Sequence, residues 1–138
     1  MDPTVKSIVG KLKYGGAASP ESIEQFRRLS GINTPDDYIE FLQLSNGAVG
    51  TVGKDQHVIL WPVESLLERN RAYEVSEYAP GIFIFGSNGG GEAYGFDTRS
   101  SMSVVQVPFV GMDLKEVEQL APSFTDFLIA LEQGFHYA

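Results

Sequence analysis

The sequence predicts an α+β domain, an antiparallel sheet of about four to six strands flanked by N-terminal and C-terminal helices. Helix start signals gather before Ser45 and again after Pro122, while strand patterns fill the middle of the chain. Nothing between them repeats strand, helix, strand in the regular order that a doubly wound parallel sheet needs. The clearest single unit is Ile82 to Asp97, IFIFGSNGGGEAYGFD. Its four leading apolar residues, β-branched and aromatic, predict a strand buried on both faces. Gly86-Ser87-Asn88-Gly89-Gly90-Gly91 then offers the positive φ that a tight reversal needs, and Glu92 to Asp97 reads as the returning strand.

The helices are justified by their ends and their stripes. Asp2 can cap a first helix with Pro3 at its first position, and Val5, Ile8, Val9 and Leu12 form one apolar stripe before Gly15-Gly16. Ser19-Pro20-Glu21 opens a second, with Ile23, Phe26 and Leu29 inward, Arg27 and Arg28 outward, and Ser30-Gly31 closing it. Thr34-Pro35-Asp36-Asp37 opens a third, where Asp37 completes a capping-box pattern. Its inner edge is Tyr38, Phe41, Leu42 and Ser45, and Asn46-Gly47 ends it in the left-handed conformation.

Gly47, Gly50 and Gly53 read as a glycine-rich connection to a strand at Val58–Trp61, which Pro62 terminates. Val63 to Tyr73 is expected to be a short helix with Leu66 and Leu67 inward, and Glu74 to Gly81 a loop. Beyond the hairpin, Thr98 to Ser101 makes a polar turn and Ser103 to Val107 a third consecutive strand. Met112 to Leu120 is expected to be helical on Leu114, Val117 and Leu120. Ser123 and Asp126 form a last capping box, opening a helix on Phe124, Phe127, Leu128 and Leu131 that ends at Gly134. Helices are expected to cover one side of the sheet.

At 138 residues, 43% hydrophobic and 20% charged, the chain is long enough for one real core. No apolar run approaches the roughly 18 residues of a membrane span, and Lys6, Lys11 and Lys13 interrupt any signal-peptide core. Cysteine is absent, which excludes disulfides and thiol chemistry, and a cytoplasmic location is expected. The net charge of −8 is unevenly spread. Met1 to Arg71 holds eight basic and nine acidic residues, whereas Ala72 to Ala138 sets only Arg99 and Lys115 against nine acids, a balance of −7. That field repels phosphate backbones and attracts basic partners, so direct nucleic-acid binding is not expected.

Three stretches together resemble the SUKH superfamily of bacterial immunity proteins and fungal regulators of cell-wall assembly. Thr34-Pro35-Asp36-Asp37-Tyr38 through Phe41-Leu42 to Ser45-Asn46-Gly47 is similar to its "P-x-D-Y-x-x-F-L … N-G" helix. Phe85 to Asp97 is similar to its "G-S-x-G-x-G-[DE]-x-[YF]-x-[FLI]-D" hairpin, with Gly90 and Gly91 departing slightly from the usual turn. Ser123-Phe124 through Phe127-Leu128 resembles its C-terminal "S-F-x-x-F-L" helix. The resemblance implies one SUKH-like domain over 1–138, a helical extension at 1–18 before a family core at 19–131. It implies structural roles for Pro35, Tyr38, Asn46, Gly47, Gly86, Asn88, Gly91 and Asp97, and carries over no catalytic residue.

Motifs that could carry chemistry fare poorly. Gly86 to Gly91 has the outer spacing of a phosphate-binding loop, but Glu92 stands where lysine is needed. Glu92 and Asp97 are five apart, which puts them on opposite faces of a regular strand, and Asp97 reads better as a turn acceptor near Thr98 and Arg99. His57 and His136 are the only histidines, too few for a metal site, and no cofactor is expected. Trp61 reads as core first and as a partly exposed anchor second.

The function expected is therefore that of an immunity protein that binds a cognate, basic, nuclease-type toxin through a carboxylate surface. The candidate partner-binding residues are Trp61, Tyr78, Glu92, Asp113, Glu116 and Glu118, with Asp113 and Glu116 sharing the wet face of a helix. A regulatory scaffold of the cell-wall regulator type is the alternative, and an enzyme or ligand binder with a pocket beside the hairpin is the third reading. No membrane partner is expected, and homodimerisation stays open.

Overall fold

Residues 2–13 and 15–134 are described in the computed structural model of the protein, so His136 lies outside the described residues. Six strands form one antiparallel sheet in plain chain order: β1 (Ala48–Val52), β2 (Gln56–Leu60), β3 (Ile82–Ser87), β4 (Glu92–Asp97), β5 (Ser103–Pro108) and β6 (Glu118–Ala121). Helices α1 (Pro3–Gly10), α2 (Pro20–Ser30) and α3 (Asp36–Leu44) precede it. The short α4 (Leu66–Ala72) and one-turn α5 (Val75–Tyr78) lie between β2 and β3, and α6 (Phe124–Gln133) follows the sheet. No helix among the described residues is long and apolar enough to cross a membrane.

Three helix starts follow their sequence signals. Asp2 accepts from the Thr4 amide at 2.8 Å, Ser19 from Ser22 at 3.1 Å and Ser123 from Asp126 at 3.1 Å, each satisfying an N–H that the first turn leaves without a partner. α1 buries Val5, Ile8 and Val9 and packs against α6, joining the two ends of the chain. The third start differs. Pro35 precedes α3 with no side-chain cap, and the buried Thr34 hydroxyl finds no acceptor or donor. Asp37 turns away from its own helix to accept from the Thr125 amide in the first turn of α6 at 2.8 Å. A local capping box has given way to a tie between two helices packed side by side.

That tie frames the aromatic centre. Tyr38 stands edge-on to Phe124 at 5.0 Å and to Phe96 at 5.2 Å, Phe85 meets Phe96 at 4.7 Å, and Tyr94 meets Phe127 at 4.8 Å. Full burial pushes the Tyr38 hydroxyl far above the usual tyrosine range. Helices α3 and α6 thus meet the hairpin face to face through the motif residues the sequence singled out.

Five expectations are corrected. Leu29 is 54% exposed, because α2 runs past the core in its last turn. The glycine-rich connection after Gly47 contains a strand, β1, whose far side is extended by a bridge from Lys13 to Val49. The loop after Glu74 contains the turn of α5. Met112 to Leu120 is no helix: a 3₁₀ turn at Leu114–Glu116 leads into β6, and spacing three arises from a turn joined to a strand. Finally, helices do not cover one side alone. β3 is buried at all six positions, and α4 and α5 both pack on it.

β2 and β3 pair only at Ile59–Ser87 and Leu60–Gly86, with one further bond from Trp61 N to Phe85 O. Farther along β3, a side chain replaces the missing strand. Asn70 of α4 accepts from Ile84 N at 2.8 Å and donates to Ile84 O at 2.9 Å, with a second bond to Leu66 O at 2.8 Å. Its amide has the donor and acceptor of a peptide group, so the edge is satisfied without a ladder.

Candidate functional site

The hairpin turn is built as the sequence predicted, with one change. Gly89 (φ +76°) and Gly91 (φ +103°) supply the positive φ. Asn88 accepts from Gly90 N at 2.7 Å and Glu92 N at 3.1 Å, holding the reversal from within. Gly86 is not at positive φ, and its role is close approach: a Cβ there would strike the Ile59 carbonyl oxygen. Asn46 and Gly47 are structural in the same sense. Asn46 accepts from Val63 N and donates to Glu64 Oε1, each at 2.8 Å, holding the Glu64 carboxyl below the usual carboxylate range. Gly47 lies at φ +86°, with room for no Cβ beneath the Leu60 carbonyl.

At its far end, β4 closes on Asp97. The buried carboxylate accepts from Arg99 N at 2.9 Å and from the Arg99 guanidinium at 3.0 Å through both oxygens. The Arg99 contact holds Asp97 below the usual carboxylate range, so this acid is a turn acceptor. The β4–β5 register runs unbroken from Glu92–Pro108 to Asp97–Ser103, which keeps Glu92 and Asp97 on opposite faces and rules out an acid–base pair.

Glu92, at the other end, has the opposite surroundings. It stands opposite Pro108, while Gln106, two residues back on the same face of β5, stands opposite Glu118 of β6. Glu92 and Glu118 therefore share a face, with Glu116 just before them at the end of the 3₁₀ turn. Burial pushes the Glu92 carboxyl above the usual range, and the charges of Glu118 and then Glu116 push it further. Asp113 has a local role of its own. It caps the 3₁₀ turn, accepting from Lys115 N at 2.8 Å, and the shared helical face expected for Asp113 and Glu116 does not exist.

Apolar surface borders the rim. The loop after β5 is tied to the hairpin turn by Phe109 N to Gly91 O at 3.0 Å, and its next residue, Val110, is 92% exposed. Trp61 is only 5% exposed, which agrees with the core reading and leaves little of it on the surface as an anchor. Tyr78 is 52% exposed at the end of α5, where Glu74 and then Glu77 raise its hydroxyl above the usual range. Its charged neighbours belong to its own turn, so it does not join the Glu92 group.

Three residues that the sequence reading passed over stand near this end of the sheet: Arg69, Tyr73 and Phe109. Arg69 on α4 and Tyr73 at its C-cap are four apart, a spacing visible in the sequence, but nothing there links them to Phe109. Clefts along α2 are open to solvent. One of them, about 580 Å³, is lined by Pro20, Glu21, Glu24, Gln25 and Arg28.

The family model described as SMI1 / KNR4 family (SUKH-1) matches residues 17–130. No curated protein matches the chain. α1 lies before the matched span, yet its buried stripe belongs to the same core as α6.

Proposed function

The chain belongs to the SMI1/KNR4 (SUKH-1) family, which covers immunity proteins and cell-wall regulators, and on that premise we propose that it is an immunity protein. In this reading it has no catalytic activity of its own and neutralises a toxin by contact. The partner is a basic domain, plausible as a nuclease, whose nucleic-acid groove is covered by the Glu92, Glu116 and Glu118 rim and held by apolar contact at Val110. One observation carries it: the charges of Glu116 and Glu118 act on Glu92 with no cation paired to any of the three among the described residues, in the half of the chain with a balance of −7. Exposed pairs are worth about 1 kcal/mol or less each, so the acids act together, chiefly on the association rate.

The test is association of the protein with the toxin domain encoded beside its gene, measured across ionic strengths, against Glu92→Gln/Glu116→Gln/Glu118→Gln. The variant is expected to associate about tenfold more slowly at low salt, with a flatter salt dependence. An unchanged rate and slope would remove the rim from the interface. Binding that strengthens with salt in the unaltered protein would overturn the electrostatic mechanism.

A further inference from the structure

Four side chains on α4 and the neighbouring strand ends close into a ring. The Arg69 guanidinium lies 4.6 Å over the Trp61 ring, Trp61 meets Phe109 at 6.4 Å, and Phe109 lies tilted against Tyr73 at 4.6 Å. Tyr73 returns the circuit to Arg69 one helical turn away, through Tyr73 N to Arg69 O at 3.1 Å. Trp61 is the buried floor, while Tyr73 is 39% exposed and Val110 stands free beside Phe109.

Arg69 is the unusual member. Arg71 is paired with Glu68, Arg99 with Asp97 and Lys11 with Glu132. Arg69 has no carboxylate partner among the described residues, and its Nε is buried with no acceptor. A guanidinium partly withdrawn from water onto an aromatic face gains from the ring but leaves its Nε donor unsatisfied. The guanidinium as a whole is a planar fork that matches a carboxylate, and tyrosine, tryptophan and arginine are the residues that dominate protein interfaces.

We propose that this ring is a docking platform for an acidic side chain next to an aromatic one on a partner protein, the carboxylate on Arg69 and the aromatic ring on Tyr73, Phe109 and Val110. Charge selects the occupant. A phosphate backbone is repelled by a net charge of −8, whereas one carboxylate can enter against a single cation. The inference rests on the chain being a protein-binding module; it shares Val110 with the surroundings of the acidic rim but uses none of its carboxylates, and it does not depend on the toxin's identity.

Trp61 is the chain's one tryptophan, so its emission reports on the platform directly. The probes are acetyl-Phe-Glu-amide and its isosteric control acetyl-Phe-Gln-amide, titrated against the whole protein. The Glu peptide is expected to change Trp61 emission saturably, with the Gln peptide binding about tenfold more weakly. Arg69→Gln should abolish the difference between the peptides, and Arg69→Lys should restore part of it. Glu92→Gln/Glu116→Gln/Glu118→Gln should bind both peptides as the unaltered protein does, which separates failure here from failure of the rim. No saturable change with either peptide, equal affinity for the two, or a preference that survives in Arg69→Gln would each overturn the proposal.

Discussion

Strand β4 carries an acid at each end, and the two ends have opposite fates. Asp97 is buried, takes an amide and a guanidinium, and is held in its charged form by Arg99. Glu92, five residues earlier on the other face, meets burial and two like charges, and its charged form is disfavoured. One strand thus shows a carboxylate that serves the fold beside one retained against local electrostatics. The contrast teaches how to separate them. A structural acid is recognised by the donors turned toward it, and a surface free for binding by the lack of them.

The strand between the ends should be the most sensitive part. A Cβ at Gly95 would lie 2.7 Å from the Phe83 carbonyl oxygen, so Gly95→Val is expected to lose about 3 kcal/mol in urea unfolding and to disturb both ends together. An unchanged midpoint would show that β3 can shift away, and that the two ends are not held by one rigid strand.

Asp97→Asn comes next. It keeps an acceptor but loses the charge on Arg99, for an expected loss of about 1–2 kcal/mol at neutral pH. Because the folded state lowers the pKa of Asp97, its contribution is complete above the unfolded value of about 4 and disappears as pH falls through the folded value. The gap between Asp97→Asn and the unaltered protein should therefore close in acid. A gap constant with pH would mean that shape, not charge, closes this end.

Glu92→Gln should have the smallest effect and the opposite sign. Its folded value is raised, so ionisation disfavours the fold as pH climbs past the unfolded value of about 4.3. Removing the charge is expected to stabilise the protein by about 0.5 kcal/mol at pH 7 and by nothing below about pH 4. A destabilised variant at pH 7 would mean that Glu92 has structural partners after all.

How far the sequence could be read follows from where each residue's partners are. Asp2, Ser19 and Ser123 find theirs within three residues, so local grammar places their helices. Asp37 finds its partner on α6, 88 residues away, and a local rule assigned it to the wrong helix. β1 was hidden by its glycines, and β6 by Leu114, Val117 and Leu120, whose helical spacing comes from two different elements. At the site, Glu116 and Glu118 were named from charge together with a helical face that is not there, and the register across β5 is what brings Glu92 and Glu118 onto one face. The Arg69 platform was illegible because its members come from three segments joined only by the fold.

The side-chain amide of Asn70 has a consequence for assembly. Where β2 parts from β3, an ordinary sheet would offer an unpaired rung on which a foreign strand could begin to add. Asn70 occupies that rung with both its donor and its acceptor. Lys13 takes part of the outer margin of β1, and β6 offers four residues with Glu118 at their head. A sheet margin so short, charged or already taken gives little purchase for lengthening by a foreign strand.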